Sequence, residues 1–407
     1  MSECRINKSI AIIGGGAAGI TAGIRLKDLG YSPVIFEANS RVGGKVLTVE
    51  KENRLFEMGA VWIGKQYQEI LGLAKRVNHP LEVAQGLKKS EFIFVDFEGV
   101  HRLTISQKIC YIFEYYRFLT HIFFRKDVLA KSDIVSFYDL KKLPTLSRVI
   151  SALWSGLGYG YLDEASVKYF PHFFEIIKLA IPPFTTKLGY ISSEGISSLW
   201  DRLAEELDVR LNLEVTQIVL LRNGKIQING GSVQYDALII ACPPDQAKKI
   251  VANQLEDYSF LDLFNYVHYH SLLIESSPFP SQTGYFPGFT EGAFKRSSLP
   301  LLWFQPHQDN PHVLIYSISE EGARIEDIEE CIKRVLLKMG ITIKSIKEKK
   351  SWKYFPHFSP KVVDAGIFDD IESLQGKNNI YWTGEYLSFA SMEHTARHAS
   401  NLVRKYF

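Results

Sequence analysis

The sequence is short of cysteine and has no secretory leader pattern. Its four cysteines, Cys4, Cys110, Cys242 and Cys331, form no C-x-x-C pair, and residues 2–9 are too polar for the apolar part of a signal peptide. A disulfide framework is therefore not expected, and we predict a reducing, cytoplasmic setting. No metal centre is predicted.

Excess charge and long apolar runs are also missing. The chain has 47 Lys and Arg against 45 Asp and Glu, a net charge of +2, so nothing indicates a nucleic-acid partner. Hydrophobic residues make up 46% and charged residues 23%, which is typical of a globular protein. At 407 residues the chain exceeds what one hydrophobic core usually holds, so we expect two domains.

A glycine-rich turn near the start is the feature on which the rest of the interpretation depends. Residues 10–13 read as a buried strand, residues 14–19 are G-G-G-A-A-G, a helical segment follows, and a second strand at 33–36 ends at Glu37. This order of strand, glycine turn, helix, strand and acid predicts a dinucleotide-binding βαβ unit.

Each part of the turn has a physical role in that unit. Gly14 permits the tight turn, Gly16 lets the backbone approach a pyrophosphate, and Gly19 brings helix and strand together. The phosphates are expected on the helix N-terminus beside Ala17 and Ala18, where backbone amides and the helix dipole favour negative charge. Glu37, about 20 residues further on, is placed to accept hydrogen bonds from the ribose hydroxyls.

The residues after Glu37 narrow the type of nucleotide. Residues 41–45, R-V-G-G-K, place two cations and two glycines where a second phosphate contact is reachable, which a unit that binds only NAD does not need. Residues 56–64, F-E-M-G-A-V-W-I-G, contain small residues that would let a flat ring approach the backbone. The predicted cofactor contacts in this part of the chain are Ala38, Arg41, Gly43, Gly44, Lys45, Gly59, Ala60, Val61 and Trp62.

Together these segments resemble the FAD-binding half of the flavin amine oxidase superfamily. Residues 41–45 match its glycine motif after the acid, and residues 59–62 match its flavin-contacting loop. The resemblance implies bound FAD and an α/β fold, in which a Rossmann-like FAD-binding domain of the glutathione-reductase/amine-oxidase type carries an inserted mixed α+β substrate domain. It assigns residues 1–80, 196–262 and 357–407 to the FAD-binding domain, 81–195 to a helical substrate-binding region and 263–356 to the substrate-domain sheet.

The resemblance also implies FAD contacts later in the chain. In the superfamily the backbone of a valine contacts the adenine ring, and Val215 is at the matching position. Gly384 and Glu385 match the Gly-Glu pair near the phosphate and ribityl groups, and Met392 and Glu393 match the Met-Glu at the start of the last helix. No cysteine follows Cys331, so this C-terminal segment cannot form a thioether to the flavin.

Within the superfamily, residues 158–170 and 351–395, with the glycine-rich start, are similar to the bacterial polyunsaturated fatty acid isomerases. As in those enzymes, we expect no membrane anchor after the last helix. That similarity implies hydride transfer from an unsaturated fatty-acid-like substrate to flavin N5 and back, which moves a double bond. The nearest counterparts of those enzymes' carboxylate-binding residues are Lys88 or Lys89 and Phe184. A solvated lysine pair is the alternative interpretation of Lys88 and Lys89.

The strand beginning at Tyr266 departs from the superfamily pattern. Amine oxidases carry on it a lysine that reaches flavin N5 through water, but the matching position here is His270 and no lysine occurs between Lys249 and Lys295. His270 is a candidate catalytic residue. The alternative is a buried, hydrogen-bonded histidine.

Two stretches allow more than one interpretation. Residues 106–131 are rich in aromatics and interrupted by charges, so they cannot span a bilayer; a core helix, the wall of an apolar pocket and a helix lying transiently on a membrane surface all fit. Residues 155–164 contain G-x-G-x-G without a preceding apolar strand, which favours a turn over a second nucleotide site.

The sequence is compatible with three functions. The first is an FAD-dependent isomerase acting on an apolar or lipid-like small molecule. The second is an FAD-dependent oxidase or desaturase of an amine, isoprenoid or lipid. The third, from another class, is a flavin-containing binding protein without catalysis.

Overall fold

The structure is a computed structural model that describes residues 8–61, 63–83, 93–96, 99–124, 133–177, 189–252, 258–276, 284–285, 300–304, 311–338 and 340–407. Its strands, in chain order, are β1 Ile10–Ile13, β2 Val34–Phe36, β3 Thr48–Lys51, β4 Arg54–Glu57, β5 Ile63–Gly64, β6 Glu82–Val83, β7 Ile93–Asp96, β8 Gly99–Arg102, β9 Gly189–Ile191, β10 Asp208–Arg210, β11 Ile218–Leu220, β12 Ile226–Ile228, β13 Gln234–Tyr235, β14 Ala237–Ile240, β15 Phe264–Ser276, β16 Gly284–Tyr285, β17 Pro300–Phe304, β18 His312–Ser319, β19 Ile343–Phe358 and β20 Ile380–Trp382. The α-helices are α1 Ala17–Asp28, α2 Gln68–Arg76, α3 Ile105–Phe124, α4 Ile134–Phe137, α5 Pro144–Gly156, α6 Phe170–Ile177, α7 Ser197–Ala204, α8 Pro244–Ile250, α9 Ile325–Lys338, α10 Pro360–Asp364, α11 Ile367–Ser373 and α12 Met392–Tyr406.

Five parallel strands from three distant parts of the chain form the first sheet, in the order β10-β2-β1-β14-β20. All four residues of β1 are buried, as expected for a central strand of a parallel sheet. The chain runs directly from β1 through the glycine turn into α1, which also packs against the C-terminal helix α12. This arrangement confirms the predicted α/β, Rossmann-like fold.

A second, mixed sheet supplies the other half of the molecule. Its order is β19-β15-β18-β17-β16-β7-β8, and all its pairings are antiparallel except that of β16 with β7. The two strands β7 and β8 fall in the part that the resemblance assigns to a helical region, yet they extend this sheet. The proposed domain boundaries themselves stay a prediction.

The aromatic helix α3 has one buried face. Phe118 is fully buried, and its ring centroid lies 4.9 Å from that of Tyr138 and 5.7 Å from that of Phe170. Within the described residues, no helix combines the length and apolarity that crossing a bilayer requires. The core-helix interpretation therefore holds for the face of α3 that carries Phe118, while the opposite face is exposed.

Residues 155–164 form a turn rather than a second nucleotide-binding unit. The helix α5, not a strand, leads into it, and Gly158 and Gly160 have φ angles of +88° and +73°. A Cβ at Gly158 would lie 2.8 Å from a ring carbon of Tyr354. The glycines here serve chain reversal and close packing.

Candidate cofactor and substrate cavity

A cavity of about 1280 Å³ lies where the two sheets meet. One part of its lining follows the carboxyl ends of β1, β2 and β14, which is where open α/β sheets bind dinucleotides. The other part comes from β15, β18 and β19 of the second sheet. Ligand pockets usually measure about 300–1,000 Å³, so this cavity is larger than a usual single-ligand pocket.

Most of the predicted cofactor contacts line this cavity. They are Gly14, Gly16, Ala17, Ala18, Glu37, Ala38, Arg41, Gly43, Gly44, Lys45, Gly59, Ala60, Val61, Val215, Gly384, Glu385 and Met392. Gly19, Glu393 and His270 are not part of the lining, and Trp62, Lys88, Lys89 and Phe184 lie outside the described residues. The ligand-binding roles of all these residues stay predictions.

The glycine turn offers bare backbone to the cavity. Helix α1 begins after Gly16 without a side-chain cap, so its first-turn amides are not taken by a capping side chain. A Cβ built on Gly44 would lie 3.2 Å from the Cα of Gly16, which shows how closely the two glycines approach each other. Exposed amides at a helix N-terminus suit a diphosphate, so this end of the cavity fits FAD.

Glu37 is buried and already holds part of the backbone. Its Oε2 accepts a hydrogen bond from the Gly15 amide at 2.7 Å, and its Oε1 accepts from the backbone amide and side chain of Asn39 at 2.9 and 2.5 Å. A carboxylate has about four acceptor positions, so roughly one is left for a ribose hydroxyl. The predicted hydrogen bonds from the ribose hydroxyls to Glu37 stay a prediction.

The two cations after Glu37 are both occupied within the protein. The Arg41 guanidinium donates to the carbonyls of Val42, Gly44 and Val46 at 2.7–3.0 Å, and burial lowers its pKa. Lys45 forms an ion pair with Glu385. Arg41 therefore shapes the glycine loop, while the Lys45–Glu385 pair joins the N-terminal and C-terminal parts of the cofactor site.

Gly59 is required by a chain crossing. A Cβ at this position would lie 1.9 Å from the carbonyl oxygen of Lys45, a distance that no packing adjustment of a side chain relieves. The preceding carbonyl, of Met58, accepts hydrogen bonds from Ser271 Oγ at 2.7 Å and Trp352 Nε1 at 3.1 Å. These contacts fix the loop that presents Ala60 and Val61 to the cavity.

Helix α12 points its N-terminus at the cavity, with Met392 in the lining. Ser391 caps it by accepting a hydrogen bond from the His394 amide at 3.2 Å. Glu393 turns away and accepts from the amides of Glu69 and Ile70 in the first turn of α2, and burial raises its pKa. The Glu393 side chain thus caps a neighbouring helix and is not in the cavity lining, and its contact with FAD stays a prediction.

One His–Glu–His group occurs within the described residues. Ligand atoms of His172, Glu175 and His394 lie within 4.8 Å of one another. The Glu175 carboxylate already pairs with the guanidinium of Arg397 at 3.2 Å and with His394 Nε2 at 3.2 Å. We therefore interpret the group as a link between α6 and α12.

Four tyrosines form an aromatic wall in the part of the cavity built by the second sheet: Tyr159, Tyr269, Tyr316 and Tyr354. Successive ring centroids are 6.0 Å apart for Tyr159 and Tyr354, and 5.7 Å apart for Tyr354 and Tyr269 and for Tyr269 and Tyr316. Their hydroxyls donate to backbone carbonyls at 2.7–3.2 Å, and burial raises the pKa of Tyr159, Tyr316 and Tyr354.

The hydroxyl groups of the aromatic wall are therefore engaged by the backbone. The sequence alone did not identify these residues. Tyrosines are common in strands, and no local pattern shows which face of a strand lines a cavity. The alternation of side chains in β15 and β19 was the available signal, but it becomes informative only when the register is known. In that register Tyr269 lies opposite Trp352.

His270 lies on the opposite face of the same strand. Its Nδ1 is 2.9 Å from Ser351 Oγ and its Nε2 is 2.9 Å from Ser319 Oγ, and burial lowers its pKa to about 4. Successive side chains of a strand point to opposite faces, and Tyr269 takes the cavity side. This geometry matches the buried, hydrogen-bonded alternative and gives no support to a catalytic role.

Glu57 is a half-buried acid in the cavity lining. It accepts hydrogen bonds from the Ile196 amide and Thr48 Oγ1, both at 2.8 Å, and burial raises its pKa from 4.5 to about 7. Because the folded protein holds this proton more tightly than the unfolded chain, folding stability should fall as pH rises from 4.5 to 7.

We expect Glu57→Gln to remove that fall. Relative to wild type, the variant should gain up to about 3 kcal/mol in unfolding free energy between pH 4.5 and pH 8, measured by urea denaturation at each pH. Glu50→Gln, at an exposed position on the neighbouring strand β3, should leave the pH profile unchanged. Parallel profiles for wild type and Glu57→Gln would contradict the assigned shift.

A parallel sheet with a dinucleotide-binding turn, joined across a cavity to a second sheet, is the arrangement expected of a flavin-dependent oxidoreductase. The chain belongs to the flavin-containing amine oxidoreductase family, whose model matches residues 17–400. Its cofactor is FAD, and the bare glycine turn and the uncapped helix start fit that group.

Two characterised relatives illustrate the range of the family. An FAD-dependent oxidoreductase of Emericella nidulans is 23% identical over an alignment of 420 positions, which covers 93% of this chain and 87% of that protein. A pseudooxynicotine dehydrogenase of Pseudomonas is 23% identical over 262 residues, 59% of this chain and 52% of that enzyme. The match to the Pseudomonas enzyme thus spans only about half of its length.

Solved structures show the same fold over nearly the whole chain. A fatty acid isomerase from P. acnes that produces CLA has a TM-score of 0.85 at 19% identity, with 98% of this chain and 99% of that chain covered. A putrescine oxidase bound to putrescine has a TM-score of 0.74 at 15% identity, with 98% of both chains covered. At these identities the likeness establishes the fold alone.

Proposed function

We propose that this protein is an FAD-dependent isomerase that moves double bonds in an unsaturated, fatty-acid-like substrate. The observation that carries the proposal is the aromatic wall, which lines the same cavity as the glycine turn. Bound FAD would supply the hydride acceptor and donor. The likeness to the P. acnes fatty acid isomerase supports the substrate class.

The residues of the aromatic wall suit a reaction that leaves positive charge on a carbon chain. All four hydroxyls are engaged with backbone carbonyls, so the wall offers no free general base. Aromatic faces stabilise a nearby cation by up to roughly 2 kcal/mol when water is excluded. The residues thus hold and shield an apolar chain and leave hydride transfer to the cofactor.

Lys350 is our candidate for the group that holds the substrate carboxylate. It lines the cavity, its Nζ lies 5.0 Å from the ring centre of Trp352, and it forms no ion pair within the described residues. The other cavity lysines, Lys45 and Lys353, pair with Glu385 and Asp245. Lys88, Lys89 and Phe184 lie outside the described residues and stay predicted contacts.

Anaerobic incubation of the FAD-loaded protein with linoleate tests the proposed reaction. We expect conjugated-diene absorbance to appear while the flavin absorbance recovers fully, because isomerisation consumes no net electrons. Stearate, which has no double bond, serves as the matched control and should give neither signal. Lasting bleaching of the flavin that only oxygen reverses would contradict isomerisation.

The second candidate is an FAD-dependent oxidase or desaturase of an amine, isoprenoid or lipid. It is favoured by the fold shared with putrescine oxidase and by the match to a dehydrogenase. The same anaerobic experiment separates the two, since an oxidase or desaturase leaves the flavin reduced. If no unsaturated lipid or amine gives turnover or bleaching, a flavin-containing binding protein becomes the better description.

A further inference from the structure

Helix α3 exposes a continuous apolar surface. Five large side chains at helical spacing are exposed by 40–78%: Ile105 78%, Ile109 50%, Ile112 40%, Phe113 71% and Tyr116 58%. At 3.6 residues per turn they fall within an arc of roughly 100°. We call these five residues the α3 apolar face. Singly exposed hydrophobic residues are common, but a contiguous set usually marks an interaction site.

The charged residues of α3 lie at the margins of the α3 apolar face or on the opposite side of the helix. Lys108 and Arg117 are exposed and flank it on opposite sides. Glu114, the acidic residue of this helix, points inward, where its Oε2 accepts a hydrogen bond from the Leu146 amide at 2.7 Å. The outward surface is therefore apolar with cationic margins, the pattern of helices that lie in a bilayer interface.

The opposite face of α3 is anchored, which fixes the orientation of the apolar face. Tyr111 and Phe118 are buried, and α3 packs against α5. Two residues of α5, Leu153 and Gly156, line the cavity. A surface bound to α3 would thus lie one helix away from the aromatic wall.

We propose that the α3 apolar face docks this protein onto the surface of an anionic phospholipid bilayer. The five apolar side chains enter the boundary between headgroups and acyl chains. Lys108 and Arg117 extend from the margins to the phosphates, since long cationic side chains bury their stems and keep their charges in the headgroup layer. The inference rests on exposure and charge alone and stands whether or not the substrate is a fatty acid.

Vesicle flotation with the FAD-loaded protein tests this docking. We expect wild type to float with vesicles of phosphatidylcholine and phosphatidylglycerol, and less with phosphatidylcholine alone. Ile109→Glu combined with Phe113→Glu should lower the bound fraction on the order of tenfold, because both carboxylates would enter the interface. Both positions are exposed, so the variant should keep its flavin, and retained flavin absorbance checks its fold.

Leu337→Glu is the matched control, because Leu337 is a 65% exposed leucine on helix α9. It should float like wild type. Lys108→Gln combined with Arg117→Gln should remove the preference for anionic vesicles. Unchanged flotation of the Ile109→Glu, Phe113→Glu variant would overturn the proposal. So would absence of vesicle binding by wild type together with a dimer that this variant dissociates in sedimentation, which would make the face a self-association surface.

Discussion

Gly19→Ala is expected to abolish stable FAD binding and to destabilise the fold by more than about 3 kcal/mol. A Cβ at this position would lie 1.8 Å from the carbonyl oxygen of Gly14 and 3.3 Å from Cγ2 of Ile12. The clash is with backbone, so relief requires α1 to move away from β1, which would open the glycine turn. Flavin absorbance of the purified protein and urea denaturation measure the two effects.

Gly72→Ala provides the matched control within another helix. A Cβ at Gly72 in α2 meets nothing within 4 Å, so the substitution gains helix propensity without a clash. It should stabilise the protein by about 0.5–1 kcal/mol and leave the flavin content unchanged. Equal effects of the two substitutions would show that α1 and β1 are not as closely packed as described.

Lys350→Gln is expected to raise KM for a fatty acid by about two- to fivefold, with a smaller change in kcat. Lys350 is exposed, and its ammonium group lies beside Trp352 in the cavity lining, so a carboxylate there would pair with it in contact with water. Loss of such an exposed charge pair costs up to about 1 kcal/mol, which corresponds to that range. Steady-state kinetics of diene formation measures the change.

Lys349→Gln is the control for this effect. Lys349 is the adjacent residue on β19, and because side chains alternate it points to the other face, where it pairs with Glu329 at 2.7 Å. Its substitution should leave KM unchanged. The KM for the methyl ester of the fatty acid, which has no carboxylate, should also be unchanged by Lys350→Gln. An unaltered KM for the acid in Lys350→Gln would remove Lys350 as the carboxylate anchor and return attention to Lys88 and Lys89.

The cofactor half of the site was predictable because its determinants are local. A tight turn, a bare helix start and an acid at the end of the next strand lie within 30 residues, and each imposes a residue type that can be read directly. Gly14, Gly16 and Glu37 accordingly meet at one end of the cavity. The position of the Glu393 carboxylate could not be predicted in this way, since its neighbours in the sequence give no sign that it caps a different helix.

The substrate half could not be predicted in the same way, because its residues come from separate strands and one turn. Tyr269, Tyr316 and Tyr354 become neighbours only through the pairing of β15 with β18 and β19, and Tyr159 joins them from the turn after α5. His270 illustrates the same difficulty. The sequence correctly predicted that it lies on a strand of the second sheet, but neighbouring residues of a strand point to opposite faces, so a shift of one residue decides whether a side chain faces the cavity.

By itself, the sequence determined that this protein has a Rossmann-like, dinucleotide-binding unit, since glycines, an acid and a helix start act within one short segment. FAD as the dinucleotide followed from the resemblance of residues 41–45 and 59–62 to the flavin amine oxidase superfamily. Only the tertiary structure decided which strand faces line the cavity and that Glu57 is half-buried in its lining. It also decided that Lys350 is the cavity lysine without an ion pair in the described part of the chain, and that α3 turns five apolar side chains outward. These features depend on burial and strand register, which arise when distant segments pack together.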